Sequence, residues 1–99
     1  MQYNFKWDPR KAKQNLQKHK VNFERAAEVF LDPLAISIYD EDHSSGEDRW
    51  VTMGKNRAGM LLVVIHTFSE ENNDARSIRL ISARKATKNE IKQYKGDIS

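Results

Sequence analysis

From Met60 to Phe68 the chain reads Met-Leu-Leu-Val-Val-Ile-His-Thr-Phe, apolar on both faces of an extended strand. A strand of that kind needs cover on both sides, which places it at the centre of a sheet. The apolar run itself, Met60 to Ile65, is far too short to cross a bilayer. Weaker strand patterns surround it. Tyr3, Phe5 and Trp7 alternate with polar residues, as do Leu34, Ile36 and Ile38, and the segments from Arg49 to Gly54 and from Arg76 to Arg84 are also extended in character. Lys55 to Gly59 is a turn, and Ser69 to Ala75 is expected to be a polar hairpin loop.

Three helices are predicted. Asp8 caps the first and Pro9 suits its first turn, with Ala12, Leu16 and His19 as the inner seam and an end near Lys20. Asn22 caps the second, which buries Phe23, Ala26, Ala27, Phe30 and Leu31 and stops at Asp32-Pro33. Thr87 and Glu90 form a capping box for the last, from Lys88 to about Lys95, with Gly96 as its stop. The order is β-α-α-β-β-β-β-α. Short links between consecutive strands favour a small antiparallel sheet with helices packed mainly on one face, an α+β fold. With 99 residues this is one domain, residues 1–99, whose thin core leaves room for a surface site rather than a deep cavity.

The chain has no cysteine, so disulfide and thiolate chemistry are excluded, in keeping with a cytoplasmic protein. The first residues lack the basic and apolar regions of a secretory signal, and no membrane partner is expected. The net charge of +3 is unevenly placed. Residues 40–48 carry five acids and no base, whereas residues 79–95 hold Arg79, Arg84, Lys85, Lys88, Lys92 and Lys95 against Glu90 alone. That second stretch attracts polyanions through counterion release, unless it is simply a solvated lysine face.

Strand alternation resolves the basic stretch into parts. Ile78, Leu80 and Ser82 share one face of the fifth predicted strand, and Arg79, Ile81 and Ala83 the other. If helices cover Ile78 and Leu80, Arg79 stands on the open face, either paired with the acidic loop or free to clamp a phosphate. Arg84 and Lys85 lie beside the start of the last helix, where backbone N–H groups also favour an anion. Glu90 and Tyr94 share a face of that helix, and capping and packing already account for them. His66, at the end of the fourth predicted strand, is expected to approach Arg79. It is either a proton carrier or a hydrogen-bonded edge histidine. His19 reads as structural. His43 with Asp40, Asp42, Glu47 and Asp48 matches no defined metal loop, so no metal or cofactor is expected.

Taken in order, several short motifs resemble the BrnT family of bacterial type II toxins, which have a RelE-like fold. They are Phe5-Lys-Trp-Asp8, Lys11-Ala12, Asn15, Lys18-His19-Lys-Val-Asn-Phe23 and Ala26-Ala-Glu-Val-Phe-Leu-Asp-Pro33. Further along come Glu47-Asp-Arg49-Trp50, Gly54, Leu62-Val-Val-Ile-His66-Thr67, the run from Ile78 to Glu90, and Tyr94. The resemblance implies a ribonuclease toxin that cleaves RNA without metal by directing a ribose 2′-hydroxyl at the adjacent phosphate. It also implies a BrnA-like antitoxin with a ribbon-helix-helix domain, through which promoter DNA is bound. Arg79, His66, Arg84 and Glu90 occupy matching motif positions and, with Tyr94, are the catalytic candidates. Lys85, Lys88, Lys92 and Arg49 are the candidates for holding flanking phosphates. The family usually has glycine where this chain has Lys20, and the Ser69–Ala75 segment looks long and acidic. A non-catalytic nucleic-acid-binding or co-repressor module is the alternative reading. A third reading is an interaction protein whose basic surface is covered by an acidic partner.

Overall fold

The computed structural model describes residues 2–96. Its elements in chain order are β1 (Gln2–Lys6), α1 (Pro9–His19), α2 (Phe23–Ala27), β2 (Ile36–Tyr39), β3 (Trp50–Lys55), β4 (Leu61–His66), β5 (Ser69–Asn72), β6 (Ala75–Lys85) and α3 (Lys88–Lys95). The strands form one sheet in the order β1-β6-β4-β3-β2, with β5 also paired to β6. The strand apolar on both faces, β4, is therefore interior, as its composition requires.

Two departures from the expected topology concern pairing. First, β1 runs parallel to β6, so the sheet is mixed rather than wholly antiparallel. The two strands lie at opposite ends of the chain, and periodicity carries no information about which distant strands meet. Second, the expected polar loop contains β5, which continues the β4 arm of a hairpin. β4 pairs with the Leu80–Lys85 half of β6 and β5 with its Ala75–Ser77 half. All four β5 residues are exposed, so no hydrophobic alternation marks it.

The core lies between one face of the sheet and the first two helices. Leu62, Val64, Ile78, Leu80 and Ala83 meet Val21, Phe23, Ala26 and Val29, with Phe5, Trp7 and Phe30 packed around them. α2 tightens into a 3₁₀ turn, Glu28–Leu31, which changes the repeat from about 3.6 to about 3 residues. Val29 is thereby buried and Leu31 exposed, the reverse of the sequence expectation. Gly54 lets this turn lie close on β3, because a Cβ there would meet the Val29 carbonyl at 3.1 Å. α3 lies on the other face of the sheet, bordering a groove lined by Ile36, Ile38, Val51, Met53 and Val63. The helices are thus split between the two faces.

In α1 the inner seam holds Asn15 instead of Leu16, which is exposed. β1 pairs with β6 only as far as Arg79, so the outer edge of β6 beyond that point has no strand neighbour. The Asn15 carboxamide takes that place: Ala83 N–H donates to its Oδ1 at 3.0 Å, and its Nδ2 donates to the Ala83 carbonyl at 2.9 Å. Nδ2 also donates to the Val21 carbonyl at 3.0 Å.

Lys20 ends α1 in the left-handed region, at φ 61° and ψ 28°, with its N–H donating to the Leu16 carbonyl. The helix closes normally without glycine, but a Cβ is strained in that conformation. Lys20→Gly is expected to raise stability by about 0.5–1 kcal/mol, a gain of several degrees in melting temperature for a chain of this size. Thermal unfolding followed by circular dichroism measures it.

Candidate active site

Register places the arginines. Phe5 pairs with Ile78 and Lys6 with Arg79, so Arg79 faces away from the Phe5 side that joins the core. Further along, His66 pairs with Leu80 while Ile65 pairs with Ser82, which leaves Ile81 as an extra residue. This β-bulge shifts the alternation. Ala83 therefore turns into the core, and Arg84, opposite Val63, turns to the open face with Arg79. Sequence alternation alone had put Ala83 on the Arg79 side.

Arg79 does pair with the acidic loop. Its guanidinium donates to Glu47 at 2.5 Å, and Arg49 approaches the same carboxylate at 3.6 Å. Arg79 and Glu47 are both about 40% exposed, at 39% and 42% of their side chains. An ion pair in that setting contributes little, on the order of 0–1 kcal/mol, so a phosphate can compete for the guanidinium. Among the described residues, Arg49 Nε is the one enclosed side-chain donor without a partner. Two guanidiniums and one carboxylate therefore converge at one end of the open face. Sequence reading singled out Arg79 and Arg49 but took Glu47 only as one carboxylate of the acidic loop, a candidate metal ligand or part of a pairing surface for Arg79. Its signal was its position two residues before Arg49 in the Glu-Asp-Arg-Trp motif.

Arg84 is committed elsewhere. It donates to both carboxylate oxygens of Glu90, at 2.7 and 2.9 Å. Glu90 also accepts from the Thr87 backbone N–H at 2.8 Å, and Thr87 Oγ1 accepts from the Glu90 N–H, completing the capping box. The Arg84 hydrogen bonds, against a smaller opposing effect of burial, hold the Glu90 carboxyl down to about 2 from an ordinary 4.5. A depressed carboxyl stabilises the fold above its unfolded value and loses that contribution as pH falls through the folded value. Stability is accordingly expected to fall from about pH 4.5 towards 2, and Glu90→Gln to flatten that part of the profile. Melting temperatures across acid pH give the comparison.

Tyr94 donates to Asp32 Oδ2 at 2.5 Å, tying α3 to the residue that follows the 3₁₀ turn. That hydrogen bond, reinforced by burial and by the carboxylate charge, pushes the phenol up to about 12. Burial alone would raise the Asp32 carboxyl, but N–H donors from Lys55 and Leu34 and the Tyr94 hydroxyl outweigh it and hold it below its usual value. Lys85, Lys88 and Lys92 are exposed. The last two are four residues apart and so line one side of α3.

His66 does not approach Arg79. It shares its face with Leu62 and Val64, alternate residues of β4 that belong to the core, and its ring meets Phe30 edge-on at 4.8 Å. Its Nε2 lies 2.7 Å from Thr52 Oγ1 and its Nδ1 2.9 Å from the Thr67 carbonyl. Burial lowers its pKa, partly opposed by the Thr67 carbonyl. The sheet thus separates His66 from the arginines. His19 borders a groove between α1 and β6 with Lys11, Lys18 and Ser82. His43 pairs with Asp40 at 3.1 Å, and among the described residues no three potential metal ligands converge. No helix among the described residues is long and apolar enough to cross a membrane.

Comparison with known proteins gives a consistent result. The model of a family described as "Ribonuclease toxin, BrnT, of type II toxin-antitoxin system" matches residues 7–90. Among solved structures, the Brucella abortus ribonuclease toxin BrnT superposes with a TM-score of 0.61 at 21% sequence identity. The alignment covers 89% of this chain and 100% of that one, a likeness of fold. No curated protein sequence matches the chain.

Proposed function

The chain belongs to the BrnT family of ribonuclease toxins of type II toxin–antitoxin systems, and from that premise we propose that it cleaves RNA on the open face around Arg79. The observation that carries this reading is the meeting of Arg79, Arg49 and Glu47 on an exposed surface. Arg79 and Arg49 bind the scissile phosphate and stabilise the charge that builds on its non-bridging oxygens as the phosphorane forms. Glu47, displaced from the guanidiniums by the incoming phosphate, takes the proton of the ribose 2′-hydroxyl. The 2′-oxygen bonds to phosphorus and the bond to the 5′-oxygen breaks. The leaving oxygen takes a proton from solvent, giving a 2′,3′-cyclic phosphate and a 5′-hydroxyl. No step calls on a metal ion.

The remaining candidates take supporting parts in this reading. Lys85, Lys88 and Lys92 hold flanking phosphates along α3. Arg84 and Glu90 fix the start of α3, and Tyr94 fixes its end, so these three position the lysines rather than transfer protons. His66 stays outside the proton path. The antitoxin is a BrnA-like protein whose ribbon-helix-helix domain also binds promoter DNA, and the toxin acts in the cytoplasm. The motif resemblance, together with the family match, supports that partner.

The test is incubation of the purified protein with RNA in the presence of EDTA, with chemical analysis of the product ends. Cyclic phosphate ends with EDTA present are expected, together with growth arrest on induction that co-expression of the neighbouring gene relieves. RNA that is bound in a salt-dependent way but remains intact would give the non-catalytic module instead.

A further inference from the structure

Beyond the 3₁₀ turn on the α1–α2 face lie Ser37, Trp50 and His66, from β2, β3 and β4. A cavity of about 290 Å³ opens there, walled by Tyr3, Phe30, Trp50 and Phe68, with His66 and Ser37 also reaching it. Tyr3 and Phe68 are 38% and 42% exposed, although neighbouring aromatic rings such as Phe5 are packed against the core. Aromatic walls around an open cleft are a common platform for flat, polarisable ligands.

The polar side of this cleft has a fixed direction. The Thr67 carbonyl can only accept, so His66 Nδ1 carries the hydrogen. In the neutral ring Nε2 is then an acceptor, and the Thr52 hydroxyl, 2.7 Å away, donates to it. Thr52 has no second hydrogen, so the Ser37 hydroxyl, 2.7 Å from Thr52 Oγ1, donates to Thr52. Once its hydrogen is given to Thr52, Ser37 Oγ can only accept from a ligand. The cleft thus presents an acceptor beside an aromatic ring, for Ser37 pairs with Thr52, two residues along β3 from Trp50.

We propose that this cleft is a nucleobase subsite, in which a base with an exocyclic amino group stacks on Trp50 and donates a hydrogen bond to Ser37 Oγ. The inference rests on the ribonuclease reading, since RNA supplies the base. Placement favours it as well. Trp50 follows Arg49 directly, so the cleft and the Arg79–Arg49 cluster sit at the same end of the sheet on opposite faces. A strand of RNA crossing that end would set a phosphate on one side and a neighbouring base on the other. Stacking tolerates any base, and the acceptor selects among them.

The experiment uses nucleosides, which carry no phosphate and do not engage the arginines. Adenosine is titrated into the wild-type protein and followed by NMR at the Trp50 indole and the Ser37 amide, alongside N6,N6-dimethyladenosine, whose amino nitrogen cannot donate. Adenosine is expected to perturb both signals, and the dimethyl analogue to bind about fivefold more weakly, the worth of one hydrogen bond. In Ser37→Ala, a change on an exposed strand residue, the two nucleosides are expected to bind alike. Absence of any shift at Trp50, or a preference that persists in Ser37→Ala, overturns the subsite. Protection of Trp50 by the antitoxin without any nucleoside binding overturns it in favour of a protein groove. Because no cleavage is measured, a failed ribonuclease assay and a failed subsite are separate results.

Discussion

Arg79→Ala is expected to lose RNA cleavage by on the order of 10²–10³-fold while remaining folded, the cost of removing one fixed donor from a developing oxyanion. The fold should tolerate the change. Arg79 faces away from the core, and its pairing with Glu47 is solvent-exposed on both sides. Arg79→Lys keeps the charge but not the forked donors, so it is expected to recover only part of the rate. Glu47→Gln separates the two parts that carboxylate plays. It removes the anion that competes with RNA for both arginines, and it removes the base. RNA affinity should therefore rise while the turnover rate falls by on the order of 10²-fold or more. Single-turnover cleavage and equilibrium binding on the same variants give the comparison. An Arg79→Ala protein that still cleaves at the wild-type rate, or a Glu47→Gln protein with unchanged turnover, removes that residue from the chemistry. Arg84→Ala is a poorer probe, because the loss of its two bonds to Glu90 also loosens the start of α3.

The local parts of this arrangement were legible in the sequence. Asp8 does cap α1, Thr87 and Glu90 do form a capping box, and Gly96 does end α3 at positive φ. Alternation in β6 did put Arg79 on the face opposite Ile78. The errors begin where a non-local contact or a one-residue irregularity decides. The bulge at Ile81 exchanges the faces of Ala83 and Arg84, and nothing in Leu80-Ile81-Ser82 announces it. His66 was misplaced for a related reason. β4 is apolar on both sides, so its composition cannot say which side the helices cover, and Leu62, Val64 and His66 fall on that side. Glu47 lay in an acidic loop where, apart from its place two residues before Arg49, nothing sets it off from the other four carboxylates. Its partner comes from β6, 32 residues further along the chain.

Asn15 shows how a residue can stand in a motif without its reason being visible there, and its replacement is expected to have the largest effect on stability. Helical spacing put Leu16, not Asn15, on the inner seam with Ala12 and His19, so nothing in the pattern asked for a polar side chain there. In the fold it is buried, and one carboxamide serves the Ala83 N–H, the Ala83 carbonyl and the Val21 carbonyl. No other side chain of its size both accepts and donates twice in this geometry. Asn15→Ala leaves three enclosed backbone groups without that partner, at roughly 1–3 kcal/mol each before any water enters. A total of about 3–5 kcal/mol is a large share of the roughly 5–15 kcal/mol that holds a domain together. Asn15→Asp is nearly the same shape, yet it turns a carboxylate oxygen towards two carbonyls. It is expected to be at least as destabilising at neutral pH, which would assign the effect to hydrogen bonding rather than to lost volume. Urea unfolding of both variants, with hydrogen exchange at the Ala83 amide, decides the matter. If both variants unfold at the wild-type midpoint with Ala83 still protected, Asn15 is not what closes the edge of β6. If the edge does open, Arg84 on the next residue loses its anchorage, so the same substitution should also loosen α3 and its lysines.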